Sequence, residues 1–139
     1  MDSGIILLFA IVLVVGVILF AFISFGKGRG KLLNVERYRT RWMEIEQSII
    51  RDNEASYHMA ILNADKLVDQ ALKDRGFSGQ TMGERLKATR GKLSHREDMW
   101  TAHKLRNRIA HEEGVRVNYN QARRSLNAFK HTLKDLGAI

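Results

Sequence analysis

The chain has 139 residues, no Cys, no Pro and a formal net charge of +8. Without Cys it has no disulfide framework, zinc–thiolate centre, iron–sulfur cluster or thiol nucleophile. Without Pro, and with 45% hydrophobic and 27% charged residues, nothing fixes φ or removes a backbone donor, so long uninterrupted helices are expected.

The first element in chain order is Ile5 to Phe25, an uncharged run rich in Ile, Leu, Val and Phe. As a helix it rises ~31 Å, enough to cross a hydrocarbon core of ~30 Å. No basic residue precedes it, it exceeds the apolar core of a signal peptide, and no small-x-small exit stands before Gly26, so residues 1–25 read as a transmembrane anchor in contact with the lipid bilayer through residues 5–25. Lys27, Arg29, Lys31, Arg37, Arg39 and Arg41 follow it, against Glu36 alone up to residue 41. The positive-inside rule then puts the N-terminus outside and the remainder in the cytoplasm, at the cell membrane. These six cations account for most of the net charge, and they suit anionic headgroups better than they argue for nucleic acid.

Residues 26–32 form a basic, Gly-rich linker. Its glycine spacing fits neither phosphate-binding pattern, and no Ser or Thr follows Lys31. Residues 33–139 are the size of one domain with one core. Val35, Tyr38, Trp42, Ile45 and Ile49 recur at steps of three and four, a narrow apolar helical stripe. Tyr57, Ala60, Ile61, Ala64, Leu67, Val68 and Ala71 repeat the pattern over a second run, about Asn53 to Arg75, which reads as a continuation of the first helix or a separate one, with Gly76 as its stop. Capping boxes at Thr81–Glu84, Ser94–Glu97 and Asn118–Gln121 start three more helices, about Met82–Leu93, Ser94–Glu113 and Asn118 onward. Apart from Val115–Val117 no segment has strand period. The expected fold is all-α: a single N-terminal transmembrane helix followed by a four- or five-helix up-and-down bundle.

The chemistry concentrates between Ala102 and Glu112. On a helix Arg106 has Met99, Ala102, Ile109 and Ala110 on its own side, so a guanidinium is aimed at the core or an interface. His103, Asn107 and His111 form an i, i+4, i+8 stripe beside it. A structural reading of Arg106 gives it a carboxylate on a neighbouring helix, with Asp65 and Asp69 as candidates. His111-Glu112 begins like a zinc-protease helix, but Val115 stands where the second ligand belongs, so neither metal nor cofactor is expected.

Arg106-Asn107-x-x-x-His111 resembles the signature of the HEPN-like superfamily, and the likeness runs over about residues 42–139. The resemblance implies a helical bundle, often a homodimer, in which active members cleave RNA without metal through an Arg and a His that meet at the dimer interface. It implies His111 as general acid or base, Arg106 as the group that stabilises phosphoryl charge, Asn107 as the residue that orients His111 or a phosphate, and His103 as a supporting contributor. Arg51/His58, Arg90/His95, Arg96/His103 and Arg124/His131 satisfy the same loose spacing. Arg106/His111 differs from them by its adjacent Asn and the apolar placement of its Arg. Two other readings stand beside the RNA or nucleotide one: a non-catalytic adaptor that dimerises at the cytoplasmic membrane face, and an electrostatic membrane-surface scaffold that relies on residues 27–41.

The topology is open to direct measurement. Protease added outside intact cells should leave residues 33–139 protected; complete digestion of that region would overturn the expected orientation.

Overall fold

The computed structural model describes the backbone of residues 3–26 and 32–139 and the side chains of 3–21 and 32–139. The linker cations Lys27, Arg29 and Lys31 lie outside the described residues. Six helices occur among the described residues, and no strand. α1 spans Ser3–Gly26, and its Ser3–Ala21 portion is long and apolar enough to cross a membrane, with none of it buried against the rest of the chain. The bundle consists of α2 (Val35–Gln47), α3 (Glu54–Asp74), α4 (Met82–Ala88), α5 (Arg96–His111) and α6 (Tyr119–Asp135).

α3 is the hub and packs against each of the other four bundle helices. Its apolar face, from Tyr57 through Ile61, Val68 and Leu72, is buried, and so are Phe129 and Leu133 of α6 and Met99 and Ala102 of α5. The stripe expected on α2 is there: Tyr38, Trp42 and Ile45 are buried.

Several boundaries differ from expectation for local reasons. α2 and α3 are separate helices: Ser48 caps the first, Asp52 takes φ 63°, and Asn53 caps the second by accepting from Ser56 N. The apolar period runs across the break, so periodicity alone does not expose it. α4 is short, because Thr89 turns its hydroxyl onto Leu86 O and Gly91 takes φ 69°. Ser94 does not cap α5; His95 occupies that position, and Ser94 instead gives both its N–H and its hydroxyl to Asp135. The Thr81 box is half formed, since Glu84 accepts from Gln80 N rather than from the cap residue. The Asn118–Gln121 box is complete, and Gly76 and Gly114 take the left-handed conformation at φ 81° and 69°. Val115 and Val117 are loop residues with buried side chains rather than a strand.

α3 also meets its neighbours through carboxylates. Asp69 accepts from Arg85 Nε of α4 at 2.7 Å and pairs with Lys73 at 2.8 Å. Asp74 accepts from the buried Tyr38 phenol of α2 at 2.7 Å, and burial followed by that bond pushes the phenol above its ordinary pKa. Burial alone would raise the Asp69 carboxyl, but the Arg85 and Lys73 contacts outweigh it and hold the group below its usual value of 3.8.

A lowered folded-state pKa means stability that is present above 3.8 and lost as pH falls through the folded value. Asp69→Asn should therefore cost about 3 kcal/mol at neutral pH, because it leaves the Arg85 charge buried without a counter-ion. Denaturant midpoints of parent and variant should converge as pH falls below that range; a gap that stays constant would show that the Asp69 charge is not its source.

Candidate functional site

Asp65 lies one turn before Asp69 on α3, and it is 2% exposed. A carboxylate so far from water requires donors, and α5 supplies them. His103 Nδ1 lies 2.8 Å from Asp65 Oδ1, and Arg106 Nε lies 3.2 Å from Oδ2. Asn107 closes the arrangement: its Nδ2 donates to His103 Nε2 at 3.2 Å, and its Oδ1 accepts from Arg106 Nη1 at 2.9 Å. Carboxylate, imidazole, amide and guanidinium thus form a ring. Trp100 covers the imidazole edge-on, with ring centroids 6.0 Å apart.

The bonds in this ring have directions. The Asn107 amide nitrogen only donates, so His103 Nε2 accepts and the ring hydrogen sits on Nδ1, facing Asp65. Arg106 is held differently. Its Nε is buried within ion-pairing distance of Asp65, yet its N–H has no hydrogen-bond partner among the described residues. The contact is therefore Coulombic rather than directed. With Nε against Asp65 and one Nη1 hydrogen on Asn107, three of the five guanidinium hydrogens are left, and the side chain is 32% exposed.

Four residues singled out from the sequence, Asp65, His103, Arg106 and Asn107, are thus in one contact set. His111 is not in it. Five residues on from Arg106, it is rotated about the α5 axis by roughly 140°. It is exposed and makes no side-chain hydrogen bond among the described residues. Within one copy Arg106 and His111 face different sides of α5. Of the membrane-proximal cations, Arg37, Arg39 and Arg41 are exposed on α2, and Arg37 and Arg41 line an open groove of about 890 Å³ between α2 and α3. That groove is not lined by any member of the ring.

Two charged arrangements escaped the sequence reading. Arg85 is 5% exposed and bonds both Asp69 and Gly79 O; its signal was the same as that of Arg106, a cation among Met82, Leu86 and Thr89 on one helical side. His95 and His131 stack with centroids 4.5 Å apart beside the Ser94–Asp135 contact, and that pairing ties the start of α5 to the end of α6.

The fold and site define an all-helical bundle, preceded by a membrane-length helix, with a carboxylate–imidazole–amide–guanidinium ring between two of its helices whose carboxylate and imidazole are buried. Comparison with family models, curated proteins and solved structures finds no match.

The ring predicts a spectroscopic signature. In a two-bond nitrogen–proton correlation spectrum His103 should have the pattern of the Nδ1–H tautomer, and Asn107→Ala should weaken that preference. An Nε2–H pattern in the parent would contradict the bonding described.

Proposed function

We propose that this chain is a membrane-tethered HEPN-like domain, its N-terminus outside and residues 33–139 at the cytoplasmic face of the cell membrane, that binds or cleaves RNA or nucleotides by metal-independent acid–base chemistry. The observation that carries the reading is the state of Arg106: anchored from behind by Asp65, tied sideways to Asn107, and one-third exposed with donors to spare. A guanidinium so held is restrained toward α3, and its remaining hydrogens match the oxygens of a phosphate. The Asp65–His103–Asn107 chain sets its orientation.

Arg106 would stabilise negative charge on the phosphoryl oxygens. His111, exposed and without a hydrogen-bond partner among the described residues, is the proton carrier: it would take the 2′-hydroxyl proton as that oxygen attacks phosphorus and return a proton to the leaving 5′-oxygen. Because the two side chains diverge around α5, the reading requires a homodimer in which Arg106 of one copy works with the partner's His111.

The second reading, a non-catalytic adaptor or dimerisation module at the membrane, is favoured by one observation, the Asp65–Arg106 ion pair, which would serve structure alone.

The test uses the full chain in neutral-lipid nanodiscs with chelator present, on structured and unstructured RNA. Cleavage should persist in chelator, and Arg106→Ala and His111→Ala should each slow it about a hundredfold. Arg51→Ala and His131→Ala should cut like the parent. No cleavage by the parent, or undiminished cleavage by both site variants, removes the catalytic assignment. If Arg106→Ala then fails to fold or dimerise, the adaptor reading takes its place.

A further inference from the structure

The second open groove, about 470 Å³, runs between α5 and α6. Lys104 and Arg108 of α5 and Arg124 of α6 line it together with Thr101, Leu105, Gln121 and Ser125, its surface is mainly apolar, and no acidic residue is among its lining. The larger α2–α3 groove differs in this respect, because Glu36 and Glu44 stand in it beside Arg37, Arg41 and Lys66.

The cations of the α5–α6 groove are available to a ligand. Neither Lys104 nor Arg124 has an ion-pair partner among the described residues. Arg108 touches Glu112 at 3.2 Å, but both side chains are more than half exposed, and such a surface pair is worth little against a phosphate. Gln121 accepts from Asn118 N through Oε1, which leaves its amide hydrogens uncommitted. Ser125 is 7% exposed, and its hydroxyl makes no hydrogen bond to the described residues.

Two of the groove cations are spaced along one helix and the third faces them from the next. Lys104 and Arg108 stand one turn apart, about 6 Å along α5, with Arg124 across from them on α6. Cations spaced along a trough suit the repeated charges of a strand. The trough also leads somewhere. His111 is three residues beyond Arg108 and within roughly 20° of the Lys104 line around α5.

We infer that the α5–α6 groove binds the phosphodiester backbone of a single RNA strand through Lys104, Arg108 and Arg124, and carries it toward His111. The destination rests on the proposed function; the backbone site rests on the groove. Gln121 and Ser125 add neutral contacts to sugar or phosphate oxygens, and Leu105 gives the strand an apolar floor.

The probe is a fluorescent 2′-O-methyl oligouridylate, which has no 2′-hydroxyl to attack phosphorus, so binding is read whether or not the chain cuts RNA. The full chain in phosphatidylcholine nanodiscs should bind it with a log–log salt slope of about −2, close to −0.7 for each of three contacts. Lys104→Ala, Arg108→Ala and Arg124→Ala should each reduce the slope by about 0.7 and weaken binding several-fold at moderate salt. The triple variant should lose most binding at an unchanged thermal midpoint, whereas Arg39→Ala and Lys134→Ala leave it intact. A folded triple variant that binds like the parent overturns the site. If the groove variants bind weakly while Arg106→Ala and His111→Ala leave RNA cleavage unchanged, the backbone site stands and the catalytic reading falls alone.

Discussion

The structure depends on what is done with the carboxylates of α3. Asp65, Asp69 and Asp74 stand along this central helix, and each is matched to a different neighbour: Asp65 to His103 and Arg106 of α5, Asp69 to Arg85 of α4, and Asp74 to the Tyr38 phenol of α2. At the start of the helix Glu54 accepts from Val117 N in the α5–α6 connection and pairs with Arg116 at 3.0 Å. Apolar burial against α6 drives collapse without direction. A buried carboxylate is directional, because any packing that leaves it without its donor costs several kcal/mol. Of these carboxylates Asp65 is buried and the others are partly exposed, so Asp65 with its α5 partners, and the buried Arg85 with Asp69, are the contacts that most favour one arrangement of the helices among those that would bury the same Leu, Ala and Phe side chains.

Asp65 and Asp69 nevertheless hold their arginines differently. The Asp69–Arg85 contact is short, directed through Nε and almost dry, and Arg85 spends a second hydrogen on Gly79 O. Arg106 is farther from its carboxylate, without a directed Nε bond, and a third of it is exposed. Two inward arginines that look alike in sequence therefore play different parts: Arg85 is consumed by the fold, and Arg106 is fixed by it with donors left over.

What the sequence made legible was whatever is encoded locally. The three-four stripes gave the buried faces of α2, α3 and α6, and the Asn118 box and Gly76 gave helix ends, because caps and left-handed turns are settled within a few residues. Asp65 was one of two candidates for Arg106, which helical phase supports but cannot choose between, since Asp65 and Asp69 lie on the same side of α3. The break at Ser48–Asn53 was hidden because apolar residues keep their period through it. Ser94 was misplaced because Asp135, 41 residues away, competes for its donors. His111 shares a stripe with His103 and Asn107 in sequence, but only His103 and Asn107 reach the ring, because that stripe drifts around α5 by about 40° for each step of four.

His111 and Arg106 face different sides of one helix, and on the proposed reading this would separate two tasks. Asp65 cancels much of the Arg106 charge at long range, so Arg106 is a poor source of attraction for a polyanion and a good source of position. Lys104, Arg108 and Arg124 are the reverse: their charges have at most an exposed surface partner, and their long side chains orient nothing finely. On the proposed reading, attraction and orientation would fall to different flanks of α5, with His111 on the outward strip next to the cationic flank. A strand held by the groove would present successive phosphates along α5, while the fixed guanidinium of a second copy could engage only a phosphate that arrives in register with it. Affinity and position would then respond to different substitutions, as follows when net charge and a preorganised donor reside on separate residues.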